Sequence, residues 1–487
     1  MSKPFYSPRE IDEIRNDPGA LLWELHQAAA YGDAGRVREC LDAGADVNGR
    51  NPDFGSTALM LAAAGNYREI ANLLLERGAR IDIADHGGRT AETWADERHN
   101  EELADFLRSR RPLGGRCLHA AGAALGLLKA YGPQTPAQVR ALGIGGLGAR
   151  FGRSWHGETY RVAGGIPLCF DLWRPVGPDN KLPLVVLVHG GGWNGGSRSD
   201  ASVSGMGNTL LAHGFAVATV DYRVAWDERF PGFRFPDPLC DVKAAVRHFR
   251  AHAEEFGIDP SRIGAFGHSA GAHLALLLGL TSAHPVLEKD SGDTAVSSAV
   301  RAVCGISCPC DFQTLVEVAK LLRAAVDTDD PGKRRTLLSG LSGRSDLAVI
   351  LETMNVHDFP LAQRDLSDKA TAMLWERKFN WSRPVLLARG LVHAEAETLD
   401  ALLAREKELL LASPLTHARR PAVAGPLPSF LLLHGGKDSL IPAEGCRLFG
   451  DALRGHGADC DVRIDPDAGH WHRDAYRLVP EFFRRTL

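Results

Sequence analysis

Nothing in this 487-residue sequence approaches the roughly 20 consecutive apolar residues that a membrane helix needs. Apolar stretches such as Leu182–Val188 and Leu274–Leu280 have the length of core elements, so no span is expected. Cysteine is scarce and odd in number: nine scattered residues suit reduced thiols and a cytoplasmic setting better than a disulfide framework. Cys304, Cys308 and Cys310 lie close together but lack a second ligand pair, so thiols at a strand end are expected rather than a metal site. An excess of positive charge is also missing. Lys and Arg total 56 against 60 Asp and Glu, and the net charge of -4 offers no field to nucleic acid or anionic lipid. Residues 1–20 carry early charges and no apolar core of about 7 to 15 residues, so they do not read as a secretory leader. What is present is an ordinary globular balance, 44% hydrophobic and 24% charged. At about 100 to 200 residues per domain, the length predicts two or three domains.

The first hundred residues repeat themselves. Gly32 recurs as Gly65 and Thr57 as Thr90, a period of 33. Each copy runs from a small-residue stretch, Ala28-Ala29-Ala30 or Ala62-Ala63-Ala64, through Val37 and Cys40 or Ile70 and Leu73, to Gly44 or Gly78. The alanines let two short antiparallel helices approach closely, and the glycine after the second helix supplies the left-handed residue that ends it. This pattern resembles the ankyrin repeat, with about three copies over 20–110 and a more polar third copy, near Gly88–Arg110, as the outer cap. Ala58 and Met60 stand where that family usually carries Pro and His, so the turn entering that helix is expected to be less rigid. The resemblance implies a protein partner, or docking of the repeats on the neighbouring domain. Residues 111–152, rich in Gly, Ala and Pro with one apolar helical stretch at 118–131, read as a connector with an entry helix.

Beyond this, β-rich runs at 184–188, 215–220, 262–266, 300–306, 430–433 and 460–464 alternate with helical patterns at 237–256, 270–280 and 443–453. Strands separated by helices predict a mostly parallel sheet with helices on both faces. Such sheets place their chemistry at the carboxyl ends of the strands.

Reactive residues fall at those ends. Gly267-His268-Ser269-Ala270-Gly271 joins an apolar strand to an apolar helix, a turn so tight that flanking glycines are needed, and it lifts the serine hydroxyl above the sheet. His189-Gly190-Gly191-Gly192-Trp193 follows another strand, where consecutive glycines expose N–H donors for an oxyanion; the N–H of Ala270 completes such a hole. Downstream, Asp438 follows the strand 430–433 and His470 follows the last strand, giving the chain order Ser, Asp, His. Asp311 and His472 compete for the acid and base roles. His189, His268 and His434 read as shaping or hydrogen-bonding residues of their loops rather than proton carriers.

Together, HGGGW, Asp221-Tyr222-Arg223 and the run GIDPSRIGAFGHSAGAHLA resemble the esterase and lipase group of α/β-hydrolases, specifically hormone-sensitive-lipase-like esterases and arylformamidases. The resemblance implies an α/β-hydrolase fold over 153–487, preceded by the small all-α ankyrin-repeat domain. It implies Ser269 as nucleophile, His470 as base and Asp438 as its orienting acid. Gly191 and Gly192, with Ala270, are implied as the oxyanion hole, and His189, Gly190, Trp193 and His268 as walls of the substrate pocket. One departure is an insertion at about 311–412, longer than in relatives, expected to form a lid, an acyl-pocket wall or a surface decoration. The chemistry expected is hydrolysis of a small-molecule carboxylic ester through an acyl-enzyme, without metal or organic cofactor. Amide or formamide hydrolysis uses the same groups, and an idle hydrolase domain acting as a scaffold is the rival from another class.

Overall fold

The computed structural model describes residues 11–51, 55–85, 90–96, 100–110, 151–175, 181–198, 200–225, 234–342, 366–380, 388, 391–392, 399–438 and 440–487. They fall into two compact units, 1–149 and 150–487. The connector at 111–150, with its expected entry helix, lies outside the described residues.

In the first unit, helices pair as Pro18–Tyr31 with Ala34–Asp42, Ala58–Ala64 with Arg68–Glu76, and Ala91–Asp96 with Glu101–Ser109. Asp17 caps the first of them by accepting from the N–H groups of Gly19 and Ala20, with Pro18 at the first helical position. The repeated glycines have two separate reasons. Gly44 and Gly78, after the second helices, are left-handed, at φ +98° and +90°. Gly65 and Gly32, the latter also left-handed at φ +79°, are held small by Tyr67: a Cβ would lie 2.6 Å from its ring at Gly32 and 2.2 Å at Gly65. At the departure from the usual repeat, Met60 N–H donates to Thr57 Oγ1 while Thr57 N–H donates to the Met60 sulfur, both at 3.4 Å. The side chain that replaces His therefore still takes part in the cap. Ala28, Ala29, Ala62 and Ala63 are buried with Leu25, Leu59, Leu74 and Leu107 in one continuous core. Asn100 ties the third copy to the second by donating to the carbonyls of Ala63 and Ala64 at 2.9 and 3.1 Å.

The second unit is built on an eight-stranded sheet: β1 (Phe151–Ala163), β2 (Ile166–Pro175), β3 (Leu182–Val188), β4 (Ala216–Val220), β5 (Ile258–His268), β6 (Ala302–Ile306), β7 (Ser429–Gly435) and β8 (Cys460–Asp465). Their spatial order is β1-β2-β4-β3-β5-β6-β7-β8, parallel from β4 onward, with β1 and β2 antiparallel at one edge. Those two strands add to the six expected. They form a hairpin across Gly164-Gly165, both at positive φ, which suits the right-handed twist of the strands it joins.

Both faces of β3 are buried, and alternate residues feed different cores. Leu184, Val186 and Val188 pack with the helices Asp237–Ala251 and Ala270–Leu280. Val185 and Leu187 pack with Ala201–Ala212 and Ala475–Thr486 on the other face. This is why the strand reads as an unbroken apolar run rather than an alternating one. The helix Ala270–Leu280 is buried along its whole length.

Between β6 and β7 the insertion forms helices at Gln313–Asp327, Pro331–Ser342, Lys369–Asn380, Leu399–Leu403 and Glu406–Ala412. Residues 343–365 of the insertion lie outside the described residues, and the last two helices are separated at 404–405. Leu315, Leu322, Leu402 and Leu409 share the core of the helix Ala270–Leu280. Among the described residues, no helix is long and apolar enough to cross a membrane.

Candidate active site

Register sets the carboxyl ends of the parallel strands side by side. Val188 pairs with Gly267, His268 with Ile306, Ile306 with Leu433 and Gly435 with Asp465. The loops that leave these ends therefore converge on one edge of the sheet.

Ser269 stands between β5 and the helix Ala270–Leu280 at φ 55°, ψ -120°. A non-glycine residue there carries backbone strain of about 1–3 kcal/mol. The surroundings over-determine it: Ser269 N–H donates to Ile306 O at 2.8 Å, and Ser269 O accepts from His273 N–H at 3.1 Å. The flanking glycines are obligatory for space. A Cβ on Gly267 would lie 2.2 Å from Gly271 O, and one on Gly271 would lie 2.1 Å from Val188 O. Gly271→Ala should therefore lower stability by at least about 2 kcal/mol, since a backbone oxygen must move to admit the methyl. A urea-unfolding midpoint equal to that of the parent would refute this account of the turn.

The loop after β3 curls tightly. Gly191 (φ +107°), Gly192 (φ 61°) and Trp193 (φ 60°) are all left-handed, and Asn194 and Gly195 both donate back to Gly191 O. Among the described residues, neither Gly191 nor Gly192 spends its N–H on another backbone carbonyl. The N–H of Ala270, at the start of its helix, is one that no intrahelical carbonyl satisfies. A Cβ on Gly190 would lie 3.1 Å from His268 O and 3.6 Å from Ser269 Cβ, so this loop runs directly beside the serine.

Behind the loop are the aromatic residues that hold it. The His189 ring stacks on Tyr222 with centroids 4.1 Å apart, and Tyr222 OH donates to His189 O at 2.8 Å. Trp193 is fully buried against His273 and Phe312, and its indole N–H donates to His273 Nδ1 at 3.3 Å. His273 Nε2 in turn donates to Ala412 O, the last residue of the insertion, at 2.6 Å. Burial holds His273 down at about 3, so it stays neutral and keeps this tautomer.

Asp438 and His470 meet at the same edge. His470 Nδ1 donates to Asp438 Oδ2 at 2.8 Å, which leaves Nε2 with the lone pair. A Cβ on Gly435 would lie 1.8 Å from Gly469 O, so glycine is what lets the acid-bearing strand end abut the histidine loop. His268 donates Nε2–H to His470 O at 2.8 Å, and the two rings lie 4.8 Å apart. Burial and the neighbouring His470 hold His268 down at about 3. The residue before the serine thus anchors the His470 loop as a neutral donor.

Both competing residues are engaged elsewhere. Asp311 accepts from Thr314 N–H at 2.9 Å at the start of the helix Gln313–Asp327, and burial raises its carboxyl. His472 Nδ1 accepts from Asp474 N–H at 3.2 Å, and burial lowers its imidazole.

Three family models match the sequence: ankyrin repeats (3 copies) over 25–113, BD-FAE over 170–353, and the prolyl oligopeptidase family over 394–487. Esterase LipC of Mycobacterium tuberculosis is 27% identical over 306 residues, which are 62% of this chain and 56% of LipC. Carboxylesterase NlhH of the same species is 38% identical over 106 residues, 22% of this chain and 31% of NlhH. The chain is thus similar to ankyrin repeats over its first part and to esterases beyond it. It spans about half the length of LipC and of the carboxylic ester hydrolase LipM. Among solved structures, an esterase of Thermogutta terrifontis is 22% identical with a TM-score of 0.43, covering 67% of this chain and 90% of its own.

Two residues of the second unit make contacts that the sequence pattern alone does not show. His273 links the HGGGW loop to the end of the insertion, and its place one helical turn after Ser269 was the only signal. His434, expected to shape its loop or hydrogen-bond within it, has its Nε2 3.2 Å from Asp438 Oδ2, and both side chains are fully buried. Burial raises the Asp438 carboxyl, but His470 and His434 outweigh it and hold the group below the ordinary carboxylate range. Among the described residues, no group of three or more His, Cys, Asp or Glu side chains is arranged to hold a metal ion.

Proposed function

We propose that the α/β-hydrolase domain, about 153–487, hydrolyses small-molecule carboxylic esters by acyl transfer through Ser269. The observation that carries this reading is the 2.8 Å bond from His470 to Asp438, with the His470 loop bonded to His268, the residue before a serine held on a strained strand-to-helix turn. Ser269 Oγ attacks the ester carbonyl while His470 Nε2 takes its proton. The N–H groups of Gly191, Gly192 and Ala270 bind the oxyanion, and the alcohol leaves with the proton from His470. Water then attacks the acyl-enzyme by the same route and releases the acid. Asp438 keeps the imidazole proton on Nδ1 and stabilises the cation that forms.

The decisive test is turnover of p-nitrophenyl esters of rising chain length, with N-formylkynurenine alongside, together with fluorophosphonate labelling mapped to a peptide. Ester turnover with the label on Ser269 is expected. No turnover and no label would leave the domain a scaffold, and preference for the formamide would move the reading to a formamidase. Rate should also fall on the acid side, because a protonated His470 cannot accept the serine proton. A kcat/KM profile that stays flat down to about pH 5 would contradict a histidine base.

The ankyrin region, about 20–110, is assigned to recognition of a protein surface, either a partner or its own chain, the usual role of such stacks. Residues 111–152 serve as the connector. Among the described residues eight cysteines are free thiols, which suits a reducing, cytoplasmic compartment.

A further inference from the structure

Asp438 is saturated with donors. Its Oδ1 accepts from the N–H groups of Leu440 and Ile441 at 2.9 and 3.0 Å. Its Oδ2 lies 2.8 Å from His470 Nδ1 and 3.2 Å from His434 Nε2. His434 Nε2 also lies 3.0 Å from Ile441 O, which can only accept, so the His434 proton is on Nε2. The other ring nitrogen is buried beside Cys446 and makes no well-aligned bond.

We infer that His434 is a positioning residue of the catalytic array: its Nε2–H shares Asp438 Oδ2 with His470, fixing the acid and moderating its pull on the base. The inference rests on the serine-esterase reading above. A carboxylate oxygen that already accepts one buried donor offers less negative charge to a second. Without His434, Asp438 Oδ2 would face His470 alone, and its hold on that imidazole would strengthen.

The titratable groups that face His434 fit this account. Asp438 comes from the loop after β7, His470 lies across that carboxylate from the loop after β8, and Cys446 comes from the helix Ala443–Gly455, with Cys310 hydrogen-bonded behind it. The bond to Cys310 and burial push the Cys446 thiol well above its ordinary range, so it is neutral. Burial opposes charge on His434, yet the imidazole is raised, and Asp438 is the charge beside it.

His434→Leu removes the donor, and His434→Gln offers a neutral one. With p-nitrophenyl acetate, His434→Leu should move the acid limb of the kcat/KM profile to higher pH by about 0.5 to 1 unit. The plateau kcat should fall about tenfold, with KM within about twofold. His434→Gln should restore much of the limb. A limb unmoved in folded His434→Leu overturns the inference, because a residue that only packs would lower the melting temperature and leave the profile in place. Proton NMR supplies a test that needs neither a His434 variant nor catalysis. Two imidazole N–H protons held by one buried carboxylate should lie downfield of the amide envelope, and both should shift in Asp438→Asn. If only one shifts, the inference falls. If the wild-type chain hydrolyses no p-nitrophenyl ester, the esterase reading fails, and these resonances still judge the two-imidazole array.

Discussion

Ser269→Ala should lower kcat on p-nitrophenyl esters by about 10⁴- to 10⁶-fold and abolish fluorophosphonate labelling, with little change in melting temperature. The loss is large because the acyl group has no other oxygen to occupy at that turn, and the residual rate comes from the oxyanion donors and binding alone. Stability should hold for reasons visible in the backbone. The strained φ of 55° belongs to position 269 whichever of the two residues sits there. The bonds that fix it, to Ile306 O and from His273 N–H, are main-chain bonds that alanine keeps. The serine side chain makes no capping bond to the helix that follows. Near-normal turnover by a folded, pure variant would place the nucleophile elsewhere and remove the basis of the proposed mechanism.

How far the sequence reading reached follows from whether each feature is local. The glycine period of 33, the unbroken apolar strands and the Gly-flanked serine are short-range patterns, and each corresponds to an element of the structure. β1 and β2 lack an unbroken apolar run: β2, second from the sheet edge, buries only alternate residues, Leu168, Phe170 and Leu172. Its hairpin signal, Gly164-Gly165 between two β-prone runs, was there to be used. The contacts around the candidate site were harder to read because they cross between elements. That Trp193 is anchored by His273, and His273 by Ala412, links residues 80 and 139 positions apart. No periodicity encodes such a link. Asp311 and Asp438 look alike in sequence, each following a parallel strand. Only the fold distinguishes a carboxylate bonded to the helix start from one bonded to an imidazole.

That distinction carries the second large effect. Asp438→Asn should lower kcat by about 10⁴-fold, while Asp311→Asn should leave kcat within a few-fold and stability within about 0.5 kcal/mol, because the asparagine oxygen still accepts from Thr314 N–H. The effect at Asp438 depends on which end of the asparagine amide points where. Leu440 and Ile441 both donate N–H to Oδ1, so that position must stay an oxygen. The amide NH₂ is then forced into the place of Oδ2, where it faces His470 Nδ1 and His434 Nε2. Donor now meets donor twice in a fully buried pocket. His470 can escape only by moving its proton to Nε2, the nitrogen that must be empty to receive the proton from Ser269. His434 has no such freedom, because its Nε2–H is also the donor to Ile441 O. Asp438→Asn should therefore lose about 2 kcal/mol of stability as well, the penalty of leaving a buried donor unsatisfied. Parallel measurement of kcat and of the urea midpoint for both variants separates the roles. Full activity in Asp438→Asn, or a collapse in Asp311→Asn, would transfer the acid to residue 311.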